Sequence, residues 1–207
     1  MKKKLNFPQV RVRVRLTVTK DDKTINAWEG PAKSWTRNYY NWAIYALLSV
    51  AAVATNFGAG YISLKRTSAV VSALNVGQYG TTLLGAAGIY NRGIVVGTSD
   101  AAESFEDYNL GATILHGTGA GQLSFLAQAA PAQSYNAGTK TWSITHKRIM
   151  NNNSGNIIGI KETGIIADYN NGTGLWLICR DVLAATFDVA DGGQLNVEYP
   201  TDIILPG

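Results

Sequence analysis

Cysteine is nearly absent from this 207-residue chain: Cys179 stands alone, so no internal disulfide can form. It lies in the apolar run Leu175–Cys179, where a thiol acts as a small hydrophobe and no local base is at hand to activate it. Histidine is almost as scarce. His116 and His146 lie far apart, without metalloprotease spacing, each inside a strand-like run that gives it a structural role. Charged residues make up only 15% of the chain, whereas there are 22 glycines, a balance that fits an all-β assembly protein better than a helical enzyme. Long hydrophobic runs are also missing. The longest, 42–54, is about 13 residues where a bilayer span needs about 20. Lys2–Lys4 lead into Asn6, Phe7, Pro8 and Gln9 rather than an apolar leader core, which predicts a soluble protein made in the cytoplasm.

Catalytic and ligand-binding motifs are equally thin. Gly117–Gly121 (GTGAG) lies between two β-like runs, not between a strand and a helix, and no Lys-Ser/Thr follows it, so it reads as a turn. No Gly-x-Ser-x-Gly elbow is present. The carboxylates Asp168, Asp181, Asp188 and Glu198 carry no sign of pairing for glycoside hydrolysis. Asp100, Glu103, Glu106 and Asp107 lack the alternating oxygens and pivot glycine of an EF-hand; they read as a solvated loop, with a calcium site as the alternative. The expectation is a non-enzymatic protein with no cofactor and no structural metal.

What the chain does have is an uneven charge distribution and a β-type pattern. Its net charge is +4, from 18 basic and 14 acidic residues. Seven basic residues and no acid fall within the first twenty positions, leaving a remainder of net −3. Val10–Val18 alternates strictly, with Val10, Val12, Val14, Leu16 and Val18 on one face and Arg11, Arg13, Arg15 and Thr17 on the other. Three arginines along one face repel one another unless water, an acidic protein neighbour or a nucleic acid lies against them. Lys20–Lys23 reads as a turn, and Thr24–Glu29 as the returning strand of a hairpin.

After Gly30–Pro31, Ser34 offers an N-cap, and 3.6-residue spacing predicts an amphipathic helix over about 34–54, with Trp35, Tyr39 and Trp42 on one face. From Tyr61 onward, short strands alternate with turn signals at fairly regular spacing. Gly77–Gly88 and Gln128–Gly138 read as long loops, Leu175–Arg180 and Thr186–Val189 as separate strands, and Pro200 as the interruption of the last strand before a short docking tail, Asp202–Gly207. The predicted architecture is mainly β: a β-sandwich or jelly roll with one N-terminal amphipathic helix, 34–54, and a basic N-terminal arm. The arm and its hairpin take residues 1–30, and a single domain takes 31–207.

Three segments resemble structural proteins of tailed bacteriophages. One is the aromatic start Ser34, Trp35, Arg37, Asn38, Tyr39, Tyr40 after a basic strand. The second is Gly93–Gly97, followed by an acidic loop, Tyr108, a small-residue stretch and a Gly-rich turn. The third is an Asn-rich turn, then Glu162–Ile165, then Leu177, Arg180 and Asp181, closing on a strand that ends at Tyr199. The resemblance implies a virion component similar to head decoration, head-fibre or tail β-sandwich proteins, which are commonly homo-oligomers. It implies self-association, as a trimer, and contact with a major capsid or other virion protein, with no direct role for nucleic acid or membrane. Arg11, Arg13 and Arg15 are the expected contacts to an acidic shell neighbour, with Trp35, Arg37, Tyr39 and Trp42 packing the base of the arm. Alternatives are a tail component or a receptor- or glycan-binding module using Trp142 and Trp176 as stacking residues.

Overall fold

The protein is described by a computed structural model covering residues 9–41, 63–73, 81–169 and 174–206. It is mainly β. Twelve strands are described: β1 (Gln9–Lys20), β2 (Lys23–Pro31), β3 (Ser63–Lys65), β4 (Val71–Ala73), β5 (Thr81–Thr82), β6 (Gly93–Gly97), β7 (Ser124–Phe125), β8 (Ala132–Asn136), β9 (Thr141–Asn151), β10 (Ile158–Tyr169), β11 (Gly174–Val189) and β12 (Gln194–Ile204). The larger sheet runs β2-β1-β12-β9-β7, with β8 also on β9; the smaller runs β11-β10-β5, with β6 also on β10; β3 and β4 form a separate pair. All the strand pairs are antiparallel.

The alternation in β1 sets the core. Val14, Leu16 and Val18 are buried and pack with Leu195, Val197 and Tyr199 of β12 and Met150 of β9. The same cluster takes in Ile94, Val96, Ile160, Ile165, Ile178 and Phe187 from the smaller sheet, so one core draws on a face of each sheet. A second, smaller cluster covers the other face of the smaller sheet, where Leu110 packs on Val95, Ile166 and Leu177.

Residues 9–31, expected as part of an arm, are woven into the larger sheet: β1 lies between β2 and the C-terminal strand β12. The β1–β2 turn is tight. Asp21 and Asp22 both take left-handed backbone angles, the twist a two-residue hairpin needs. Of the helix expected over 34–54, only 34–41 falls among the described residues, and there it does not begin at 34. Residues 34–36 lie along the edge of β11, and helical backbone among the described residues spans only 37–41. The first turn is closed by the carbonyl of Thr36, not from Ser34, accepting from the amides of Tyr39 and Tyr40. Residues 42–54, Trp42 included, lie outside the described residues.

Three further expectations are corrected. The stretch read as a loop, 128–138, contains β8, paired along its length with β9. The two strands read around 175–189 are one, β11, which bulges so that 183–186 stand against Lys161 alone. Pro200 does not end the last strand: β12 continues to Ile204. Its pairing with β9 runs unbroken through Pro200↔Thr145, while the β1 ladder lapses between Val12↔Thr201 and Arg15↔Glu198. Pro200 has no N–H to give, and the gap falls on the side where none is given.

Candidate functional site

The outer face of the larger sheet carries the arginines, and their partners come from this chain. Register places Glu29, Arg15, Glu198 and Lys147 side by side on β2, β1, β12 and β9, a row of alternating sign. Arg15 donates to Glu29 at 2.9 Å and Glu198 at 3.1 Å; Arg13 reaches Glu29 at 3.0 Å and Asp202 at 3.4 Å. The Arg15 bond holds the Glu29 carboxyl below its usual range. Burial opposes ionisation of Glu198, but Asn196, Lys147 and Arg15 together still hold it low. Exposed pairs of this kind contribute little to stability. Their main effect is to remove the repulsion among the arginines. Arg11 is exposed and makes no ion pair among the described residues, although Asp202 lies opposite it on β12.

Residues 33–41 form the second part of the site. They are fixed to β11 as an added short strand: the Thr36 amide donates to the Ile178 carbonyl at 3.1 Å and the Arg180 amide to the Ser34 carbonyl at 3.0 Å. The Thr36 hydroxyl donates to Leu177 O at 2.7 Å. The Asn38 amide donates to Leu177 O and Lys65 O and accepts from the Lys65 amide, tying β3 to the same edge. An aromatic ridge stands on this mount. Trp35 stacks near Tyr39 with ring centres 4.2 Å apart, Tyr39 meets Tyr40 edge-on at 5.5 Å, and Tyr40 meets Phe105 at 5.7 Å. Arg37 lies over the Phe105 ring and pairs with Glu106. Trp35 and Tyr39 are half-buried; Arg37, Tyr40 and Phe105 are exposed. Of the expected contact residues, Trp35, Arg37 and Tyr39 come together, while Arg11, Arg13 and Arg15 lie on the larger sheet's outer face.

Phe105 is positioned by a buried clamp that sequence reasoning missed. Gly97, Glu162 and Val182 lie opposite one another on β6, β10 and β11. The Glu162 carboxylate, fully buried, accepts from Arg180 Nε at 2.7 Å and from the amides of Gly111 and Ala112 at 3.0 and 2.8 Å. Arg180 also donates to Asp107 at 2.9 Å and to the carbonyls of Ala101 and Ala102. Burial alone would lower the Arg180 pKa, but Glu162 and Asp107 outweigh it and raise it. A side chain at Gly97 would begin 2.4 Å from the Glu162 carboxylate, hence the glycine. Glu103 accepts from the Val182 amide and bonds the Ser34 hydroxyl, Asp100 pairs with Lys161, and Glu106 with Arg37. The four acids considered for calcium therefore point at four different partners. Among the described residues, no group of three or more acids, histidines or cysteines is placed to hold a metal.

Beneath Trp35 and Tyr39 an apolar pocket of about 110 Å³ opens between the sheets, bounded by Val12, Ile165, Trp176 and Ile178, with His146 and Tyr199 at its wall. Burial pulls the His146 pKa down, and its Nδ1 is buried without a hydrogen-bond partner. Trp176, considered for sugar stacking, is 2% exposed and part of this wall; Trp142 is exposed and pairs with Tyr135. His116 accepts from the Phe125 amide through Nδ1, a structural role. Asp168 pairs with Arg92, and Glu198 with Arg15 and Lys147.

Asp181 ties the ridge to the core. Its carboxylate accepts from the Lys33 amide at 2.6 Å and faces the Tyr199 hydroxyl. Burial, reinforced by Glu103, pushes its pKa up to about 6. The native state therefore holds a proton that the unfolded chain has released between about pH 4 and pH 6, and stability falls as pH rises through that window. The cost above pH 6 is about 3 kcal/mol for a shift of this size. Asp181→Asn keeps the acceptor for Lys33 and cannot ionise. Urea unfolding at pH 7.5 and pH 4.5 should show the variant gaining more on the parent at the higher pH. An equal difference at both pH values would contradict the assignment.

No protein-family model, curated protein or solved structure matches this chain.

Proposed function

We propose that the chain is a non-enzymatic structural protein of a tailed-bacteriophage virion, an auxiliary or decoration protein seated on the capsid. The observation that carries the reading is the exposed aromatic ridge, Tyr40 against Phe105 with Arg37 over the Phe105 ring, on a mount of backbone bonds and the Arg180–Glu162 clamp. Exposed aromatic and arginine side chains, held in place before a partner arrives, are what protein interfaces use as anchors. The order of segments in the sequence, a basic strand, an aromatic start and an acidic loop, supports the virion assignment through its resemblance to such proteins. We read the two sheets and their shared core as a β-sandwich, the architecture that resemblance implies.

The basic strand keeps a part in this reading, reduced to one residue. Arg13 and Arg15 are balanced within the chain, and Arg11 is the cation left to meet an acidic shell neighbour. Reversing all three would disrupt the sheet as well as the contact; Arg11→Glu tests the contact alone. Co-sedimentation with empty phage shells from the same source as the sequence should show affinity reduced roughly tenfold at low salt, the weight of one lost interfacial charge pair. The difference should shrink as salt rises. Tyr40→Ala combined with Phe105→Ala should weaken docking at any salt. If both variants sediment with shells as the parent does, the reading fails.

A further inference from the structure

The core-facing side of the larger sheet does not end where the smaller sheet stops covering it. Strand register sets Val10 of β1 opposite Ile203 of β12, Ile203 opposite Trp142 of β9, and Trp142 opposite Tyr135 of β8. Directly opposed residues in antiparallel strands share a face. This face is the one that carries Val14, Leu16 and Val18 further along β1, so the row continues the apolar phase of the core. Leu205 follows in the same phase just past the end of β12, its amide bonded to Lys140 O. Yet the row is open to solvent: Val10 is 60% exposed, Tyr135 50%, Trp142 41% and Leu205 40%. The Tyr135 and Trp142 rings lie 6.0 Å apart, so the row is contiguous across its outer two strands.

We propose that this row is the surface through which a second copy of the chain docks. Its size and chemistry argue for that occupant. Taken with full side-chain areas of 150–250 Å² for aromatics, the exposed part amounts to roughly 400 Å² of apolar surface, at the level that marks an interaction site on a monomer. Two such rows meeting, with the strand ends and hairpin around them, reach the roughly 1,200–1,600 Å² of a stable interface. The row contains no charged residue, so two copies of it meet without burying a charge. The strand at its margin, β8 (AQSYN), is exposed at every residue, with no lysine or proline among them to discourage association. The opposite margin, β2, carries both: Lys23 and Pro31.

The proposal stands apart from the virion reading, because it concerns the chain alone and the opposite face of the larger sheet from Arg11. Light scattering on the purified full-length chain across about 2–200 μM, spanning the affinities of ordinary self-association, should show a multiple of the monomer mass that falls on dilution. High salt should preserve it or strengthen it, unlike docking through Arg11. Trp142→Glu should shift the chain to monomer over the whole range. Tyr135→Lys, on an exposed edge strand, should do the same and serves where the first variant fails to fold. Ile157→Glu, another exposed apolar position but far from the row in register, should leave the mass unchanged. A parent that stays monomeric at the top concentration overturns the proposal, as does an oligomer that survives both row variants or that Ile157→Glu breaks equally. Quenching of tryptophan emission in a monomeric parent by soluble oligosaccharides, lost in Trp142→Phe, would assign the row to sugars instead.

Discussion

Arg148→Met should unfold at a markedly lower urea concentration than the parent, with a loss of about 3–5 kcal/mol. Arg148 is 1% exposed on the core face of β9. Its guanidinium donates to five main-chain carbonyls: Arg92 and Ile94 through Nη1, Ala86 and Ile89 through Nη2, and Leu126 through Nε. It also lies 4.9 Å from the centre of the Phe125 ring. Burial pulls its pKa down to about 10, and it is still a cation at neutral pH, held by carbonyl dipoles rather than a carboxylate. Replacing a buried ion pair by apolar groups can be neutral when both partners go. Here only one partner can go, because the acceptors are backbone. Methionine would leave those carbonyls without the donors that the fold supplies, at about 1–3 kcal/mol for each that water cannot reach. Arg148→Lys should recover only part of the loss, since an ammonium has three donors and no planar fork. Gly85→Ala should reproduce much of the effect, because a Cβ there would begin 2.5 Å from Arg148 Nη1. A methionine variant with the parent's urea midpoint would show that the network contributes nothing net.

Arg180→Met should be as damaging, and its effect should be local first. Removing the guanidinium leaves the Glu162 carboxylate fully buried with only backbone amides for company, a situation that typically costs about 3–5 kcal/mol. It also releases Asp107 and the carbonyls of Ala101 and Ala102, which fasten the loop carrying Phe105. Hydrogen exchange should therefore speed up at the amides of Gly111, Ala112 and Val182 well before the core strands lose protection. Glu162→Gln, which keeps the shape and removes the charge, should cost less. In the double variant the two losses should fall short of additive by about 2 kcal/mol, the coupling of a buried pair. Unchanged exchange at those three amides would contradict the clamp.

Much of the fold was legible in the sequence because period-2 alternation survives wherever one face is buried. β1 and its hairpin with β2 follow directly from Val10–Val18 and the Lys20–Lys23 turn. β8 was not legible: AQSYN is exposed on both faces, so no hydrophobic pattern marks it, and its pairing is dictated by β9. Strand β12 was cut short on paper because Pro200 reads as a breaker, and only the lapse in the β1 ladder shows how it is accommodated. The arginines were read correctly as one outward face, but their acids come from β2 and β12, remote in sequence from Arg13 and Arg15. The aromatic start was found as a cluster; its mount on β11 was not, since Ser34–Thr36 looks like a helix entry and behaves as strand. Arg148 left a usable signal. It falls in phase with Ile144, His146 and Met150, the inward side of β9, and a charge in the inward phase of a strand marks a buried network.

Light scattering coupled to size-exclusion chromatography, on the chain alone and then mixed with empty phage shells, tests the assembly reading most directly. The account predicts an oligomer that co-migrates with shells at low salt, and binds them more weakly at high salt while remaining an oligomer. A chain that elutes apart from shells under every condition would contradict the virion assignment, and one that is also monomeric throughout would contradict the self-association surface as well.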